Sequence, residues 1–385
     1  MSTDAPVQKT SPDGANRSSR LRELWGLVNG FTAYFAVLAA DEIGLFDAIA
    51  GGEAESEGIA RRCTADPERL RALLDGNVAA GTLECRGGRY ALSPVAEAHL
   101  VTGAPEYLGA LLKHSPGPLE NWPALSATVR GAPPPRDVGR EHGEFLSELV
   151  RATFPVQLEV ARAILQGWGA PELPASCRIL ELGAGAAPWS VAVLERLPAA
   201  RAVVNDLPGV LPLAGAALEE RGLLARAELL AGSYWDVTAA EASFDLVVLG
   251  HVCRAEGDRR AQDLVERARI AVAPGGRVVL TEYLLDNDRT GPGQAQLLGV
   301  TMMASTDEGG TFTHRQAMAW LENAGLEVLR TETPVPPTAV LIACKPAAAT
   351  SPEETSPEET SPEETSPDAT SPDATSPTRW IGGDS

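Results

Sequence analysis

The stretch Cys177-Arg-Ile-Leu-Glu-Leu-Gly-Ala-Gly-Ala-Ala-Pro-Trp-Ser190, followed by Val203-Val-Asn-Asp206, decides how the rest of the chain reads. Arg178 to Leu182 is an apolar run with one acidic residue and predicts a strand. Gly183 and Gly185 predict a tight turn with close backbone approach, and Trp189 to Leu197 has helical spacing. A second strand is expected over 201–205. Strand, glycine turn, helix and strand place a helix N-terminus where a ligand can sit.

Two details choose among nucleotide-like ligands. A dinucleotide fingerprint needs a third glycine where this chain has Pro188, so close approach of a pyrophosphate is disfavoured. Glu181, two residues before the first glycine, is expected to project a carboxylate toward a ligand amine. Asp206, at the end of the next strand, can accept both hydroxyls of a ribose. An amine and a ribose together suit S-adenosylmethionine.

Working outward, the pattern predicts helix 210–221, strands 226–231 and 244–249, helix 258–272, strand 277–283, helix 313–324, and closing strands at 326–331 and 338–344. Regular alternation implies an α/β fold with a parallel, doubly wound sheet, here finished by an antiparallel pair. Upstream, Thr64-Ala-Asp-Pro-Glu68 has the grammar of a helix start, and Leu83 to Leu92 reads as two strands about Gly87-Gly88. Helices plus a hairpin make a winged helix over 21–100. Its recognition-helix candidate carries Arg69 and Arg71 but also Glu68 and Asp75, a mixture that favours a structural role over DNA contact. Between Leu24 and Leu38 apolar residues cover most of a helix's circumference, which predicts burial against a second subunit.

Residues 101–176, broken by Pro116, Pro118, Pro123 and Pro133-Pro-Pro135, predict a linker with helical pieces near 106–113, 144–152 and 158–166. Trp122, Phe145 and Phe154 from this region, with Met302 and Met303, are candidates for a flat apolar pocket.

The formal charge of −20 argues against nucleic acid and anionic membranes as partners. Much of it lies at the C-terminal end, where nine acidic side chains and one arginine follow Thr350. There Thr-Ser-Pro-Glu-Glu occurs three times and Thr-Ser-Pro-Asp-Ala twice, a polar repeat that predicts disorder over 347–385, as composition does for 1–20. Five scattered cysteines indicate neither a disulfide framework nor a metal site and fit a reducing cytoplasm. No signal peptide or membrane span is expected.

With these residues assembled, the chain resembles the small-molecule O-methyltransferases that carry a winged-helix dimerisation domain ahead of a class I (Rossmann-like) methyltransferase domain. The resemblance rests on Gly44-Leu-Phe-Asp47, Glu181-Leu-Gly-Ala-Gly185, Asp206-Leu-Pro-Gly209, Gly232-Ser-Tyr-Trp-Asp236, Phe244-Asp-Leu-Val-Val248 and Ala273-Pro-Gly-Gly-Arg277, in that order across 21–346. It implies a methyltransferase domain over 177–346, a homodimer, an aromatic acceptor and S-adenosylmethionine as methyl donor without a metal. It also implies that Glu181, Gly183 and Gly185 hold the methionine end of the donor, Asp206 and Leu207 its ribose, and Ser233 and Tyr234 its adenine.

One segment departs from the pattern. After the fourth strand of the sheet many members carry His-Asp-Trp, whose histidine takes the acceptor's proton; here the run is Leu249-Gly-His-Val-Cys-Arg-Ala-Glu-Gly-Asp258. Arg254 stands at the usual histidine position and His251 three residues earlier. His251 is the candidate base, and Arg254 a candidate to bind an anionic acceptor group or stabilise a phenolate. Two other readings stay open: non-methylating chemistry with the same cofactor, and a winged-helix regulator that senses a small ligand.

Overall fold

The computed structural model describes residues 12–104, 106–138, 144–168, 173–237 and 241–347. The disorder expected at 1–11 and from 348 onward falls outside these residues. The chain forms two compact units that meet in sequence at 116/117.

The first unit contains α1 (Pro12–Glu42), α2 (Leu45–Ala50), α3 (Ser56–Arg62), α4 (Pro67–Ala79), the hairpin β1 (Leu83–Arg86) and β2 (Arg89–Leu92), α5 (Pro94–His99) and α6 (Gly109–His114). The helix expected from Leu21 starts at Pro12, so 12–20 are helical. Proline suits a first helical turn, and Leu21, Arg22, Glu23 and Leu24 are good helix formers that extend α1 backward. Asp66 caps α4 by accepting from the Arg69 N–H, with Pro67 in the first turn as the sequence indicates. The core gathers Leu45, Phe46, Ile59, Leu70, Leu74 and Leu83. Asn77, buried on α4, donates to the Ala36 carbonyl and ties α1 down at its C-terminal half. Ahead of that tie α1 is bare at Leu27, 77% exposed, and Phe31, 70% exposed. Ser19–Glu42 is long and apolar enough to cross a membrane by length and composition alone, a test that the core helix of a water-soluble protein also passes.

The second unit opens with a 3-10 turn (Leu119–Ala124), α7 (Leu125–Thr128) and α8 (Glu144–Gly167). Then come β3 (Arg178–Leu182), α9 (Pro188–Arg196), β4 (Arg201–Asp206), α10 (Leu211–Glu220), β5 (Ala227–Ala231), β6 (Phe244–Gly250), α11 (Cys253–Ala271) and β7 (Val272–Tyr283). They are followed by α12 (Gly293–Ser305), α13 (His314–Asn323), β8 (Glu327–Val335) and β9 (Thr338–Cys344). The seven strands run β5-β4-β3-β6-β7-β9-β8, with β3 to β7 parallel and β9 antiparallel to both its neighbours. Strands β3 and β6 sit in the middle and are apolar on both faces, so two cores form. One, with Leu158, Ile164, Trp189 and Leu218, lies under α8, α9 and α10. The other, with Leu264, Val265, Trp320 and Leu321, lies under α11 and α13.

Two elements differ from expectation. The pieces foreseen near 144–152 and 158–166 are one helix, α8. Pro155 and Arg151 are both exposed, so the carbonyl that loses its partner faces water. Helix α12 has no single apolar face, starts on Gly293 and carries Gly299 inside it, which hid it from a periodicity reading.

A candidate cofactor and acceptor site at the strand ends

The loop after β3 turns as its glycines require: Gly183 has φ +62° and Gly185 φ +60°. A Cβ at Gly183 would stand 2.5 Å from Val252 Cγ1 and 3.3 Å from the Tyr234 ring, and one at Gly185 would stand 3.2 Å from Val150. The missing Cβ atoms thus let Val252, Tyr234 and Val150 pack directly against the loop.

The carboxylates on either side hold this loop through backbone N–H groups. Glu181, 2% exposed, accepts from Trp189 N at 3.2 Å, Ser190 N at 2.8 Å and Ser190 Oγ at 2.6 Å. It therefore faces the N-terminus of α9, not open space toward a ligand amine as expected. Burial pushes its pKa up to about 7, against the lowering effect of those hydrogen bonds. Asp206 accepts from Gly185 N at 2.6 Å and Leu207 N at 2.7 Å. These bonds fix the carboxylate between the glycine loop and the end of β4. Leu207 is half-buried beside it.

The next turn carries Ser233, whose hydroxyl accepts from Trp235 N, and Tyr234. Tyr234 donates its hydroxyl to Glu256, which also receives Trp235 Nε1 at 3.2 Å and pairs with Arg260. Burial first, then this carboxylate, raise the tyrosine pKa, so the ring stays neutral. The Arg260 guanidinium lies 4.4 Å from the centre of the Trp235 ring.

The turn after β6 adjoins the glycine loop through Val252. His251 has φ +58°, and α11 is interrupted at Gly257 (φ 74°, ψ 169°), where a Cβ would meet the Glu308 carbonyl at 2.8 Å. His251 Nε2 lies 2.8 Å from Gln157 Oε1, and its Nδ1 lies 3.0 Å from an Arg254 Nη1 donor. A guanidinium only donates, so Nδ1 accepts and the ring proton sits on Nε2, donated to Gln157; this tautomer is assigned from the network. Glu282, 2% exposed, accepts from Arg254 N at 3.0 Å and stands 3.6 Å from His251 Nδ1 and 4.0 Å from the guanidinium. Burial lowers the His251 pKa and Arg254 lowers it further. For Glu282 burial acts upward, but His251 and Arg254 outweigh it and hold the carboxyl below its usual range. The trio is thus a neutral imidazole, a guanidinium and a carboxylate. Neither ring nitrogen of His251 is free, contrary to its expected role as base.

The pocket candidates separate. The turn bearing Trp122 packs with α7 against α12, where Met302 is buried and Met303 half-buried. The 306–310 loop links α12 to Arg254, since Gly310 N donates to the Arg254 carbonyl. Phe145 lies 5.8 Å from the Arg136 guanidinium, and the Arg136 backbone is bonded to Asn121 beside Trp122. Phe154 instead packs on the sheet core under Arg221 at 5.3 Å, which removes it from the pocket. Gln157, Glu256 and Glu282 were missed. The signal for Glu282 was an acid inside the apolar run Val278-Val-Leu-Thr-Glu-Tyr283. Among the described residues no cluster of three or more His, Cys, Asp or Glu side chains could hold a metal ion.

A family model described as an O-methyltransferase domain matches residues 158–327, and one described as an O-methyltransferase dimerisation domain matches 25–102. The latter takes in most of the apolar part of α1. The chain is 28% identical over 80% of its length to 3-hydroxy-5-methyl-1-naphthoate 3-O-methyltransferase of Streptomyces sahachiroi, covering 90% of that protein. It is 26% identical over 83% of its length to the tetracenomycin polyketide synthesis 8-O-methyl transferase of Streptomyces glaucescens, covering 95%. Human N-acetylserotonin methyltransferase in complex with S-adenosylmethionine has the same fold, with a TM-score of 0.71, 24% identity, and 85% and 98% of the two chains covered. The two matched domains, in this order and over most of the chain, place the protein in the S-adenosylmethionine-dependent O-methyltransferase family.

Proposed function

We propose that the protein methylates a phenolic hydroxyl of an aromatic small molecule in natural-product biosynthesis. The observation that carries this reading is the contact between Val252 and Gly183, which sets the His251–Arg254 turn against the glycine loop. The naphthoate and tetracenomycin relatives support an aromatic acceptor.

The loop fits S-adenosylmethionine: Gly183 and Gly185 turn the backbone with positive φ at the end of β3, and Asp206 brings a carboxylate to the end of β4 beside it. When bound, S-adenosylmethionine supplies a methyl group on a sulfonium, whose sulfur departs without acid assistance. Asp206 and Leu207 would hold the ribose and Ser233 and Tyr234 the adenine, the Tyr234 ring being fixed by Glu256. Glu181 acts at one remove, by keeping the loop and α9 in register. On the acceptor side, Trp122, Phe145, Met302 and Met303 form the apolar part, and Arg254 orients the reacting oxygen. Alignment and exclusion of water account for most of the rate.

The exposed apolar residues of α1 are the surface through which two copies pair, burying Leu24, Leu27 and Phe31 in a homodimer. Five free cysteines suit a reducing cytoplasm. The acidic chain has no nucleic-acid role in this reading. Incubation with S-adenosylmethionine and a panel of hydroxynaphthoates should yield S-adenosylhomocysteine together with a singly methylated product. Absence of both with every acceptor, in protein that binds S-adenosylhomocysteine, would reject it.

A further inference from the structure

The proton on the acceptor needs a destination, and neither His251 nor Glu282 offers one. His251 is enclosed: Nδ1 accepts from Arg254, Nε2 donates to Gln157, and the Tyr283 ring stands edge-on at 5.2 Å. To take a proton it would have to release Arg254 and place a second positive charge beside it. Glu282 lies behind the same pair, 2% exposed and committed to the Arg254 backbone. What the turn does offer is positive charge. The Arg254 guanidinium has five N–H donors, of which only one on Nη1 is engaged by His251. Those on Nε and Nη2 have no hydrogen-bond partner among the described residues. Its side chain is 22% exposed against 9% for His251.

We propose that the acceptor enters this site already ionised, as a phenolate met by the free donors of Arg254, and that the natural acceptors are phenols acidified by a conjugated carbonyl group. This rests on the methyltransferase reading above and narrows its substrate class. The phenol loses its proton to water before transfer. The phenolate oxygen then forms the new C–O bond as the S–CH3 bond breaks, the breaking pair remaining on sulfur, so charge cancels without a protein base. Gln157 and Glu282 are positioning residues. Gln157 keeps the imidazole proton on Nε2 so that Nδ1 receives Arg254, and Glu282 fixes the turn through the Arg254 N–H.

The test uses the full-length protein with 2-naphthol and its 6-acetyl and 6-cyano derivatives, whose hydroxyls span a range of acidity and whose phenolates absorb separately from the phenols. With saturating S-adenosylhomocysteine, bound acidified naphthol should show its phenolate band about one to two pH units below the free compound, as expected for charge-assisted hydrogen bonds. Arg254→Gln should abolish that shift. In turnover with S-adenosylmethionine, the rising limb of kcat/KM against pH should follow the hydroxyl acidity of each naphthol. The same should hold in His251→Asn, chosen because asparagine tolerates positive φ and can still accept from Arg254. A limb at one fixed pH for all three acceptors, lost in His251→Asn, would overturn the proposal and make His251 the base. Binding without a phenolate band in the wild type would also overturn it. No methyl transfer to any naphthol, with S-adenosylhomocysteine bound, would instead contradict the methyltransferase reading beneath it.

Discussion

The glycine loop and the turn after β6 lie side by side at the strand ends, yet they are built by different means. In the loop, Glu181 and Asp206 bond mainly to backbone N–H groups of Trp189, Ser190, Gly185 and Leu207. In the turn, His251 bonds to the side chains of Gln157, which is 94 positions away, and Arg254. Backbone donors come with the local conformation, so a local motif specifies them. Side-chain networks need three distant elements to converge, and changing one member re-purposes the whole set.

The largest effect that sharpens this contrast is the pH dependence of stability at Glu181. Its pKa rises from the ordinary glutamate value of 4.5 to about 7 on folding, so between these values the folded protein binds more protons than the unfolded chain. Raising the pH across that window removes stability, on the order of 3 kcal/mol, and the loss is complete above it. Denaturant titrations of wild type and Glu181→Gln at a series of pH values should show this decline only in the wild type. Parallel curves would mean that the backbone donors keep Glu181 ionised throughout.

A smaller change is expected at Asp206. Hydrogen bonds to charged groups contribute about 1.5–3 kcal/mol. Calorimetry should find S-adenosylhomocysteine affinity reduced by at least about tenfold in Asp206→Ala, and unchanged affinity with an intact fold would remove Asp206 from the cofactor site. Smaller again is Gln157→Glu, which places a carboxylate at the Nε2–H of His251. A charge-assisted partner should raise the imidazole pKa by about one unit and bring its titration toward neutral pH. If the histidine signal of this variant does not move, Gln157 does not set the ring's state.

The same contrast explains what could be read in advance. The order of strands and helices from Cys177 onward follows from alternation and glycine placement, and the structure agrees closely except that α12 was not foreseen, α11 starts at Cys253 and β7 at Val272. Gly183, Gly185 and Asp206 were legible because their geometry is a property of neighbouring residues. Three things were not. The destination of the Glu181 carboxylate depends on where α9 begins relative to β3. Phe154 looked like a pocket residue because one helix face cannot be assigned to core or cavity without its partner. Gln157 and Glu282 are ordinary polar residues until α8 and β7 bring them to His251.

The account turns on His251 being a neutral ring with its proton on Nε2. Nitrogen NMR of histidine-labelled protein reads this directly: among the five histidines of the chain, the signals lost in His251→Asn identify the ring. They should report one N–H and one bare acceptor nitrogen at neutral pH and above, since burial and Arg254 lower the imidazole pKa from its ordinary value. A His251 ring that carries protons on both nitrogens near neutral pH and loses one as the pH rises would contradict it.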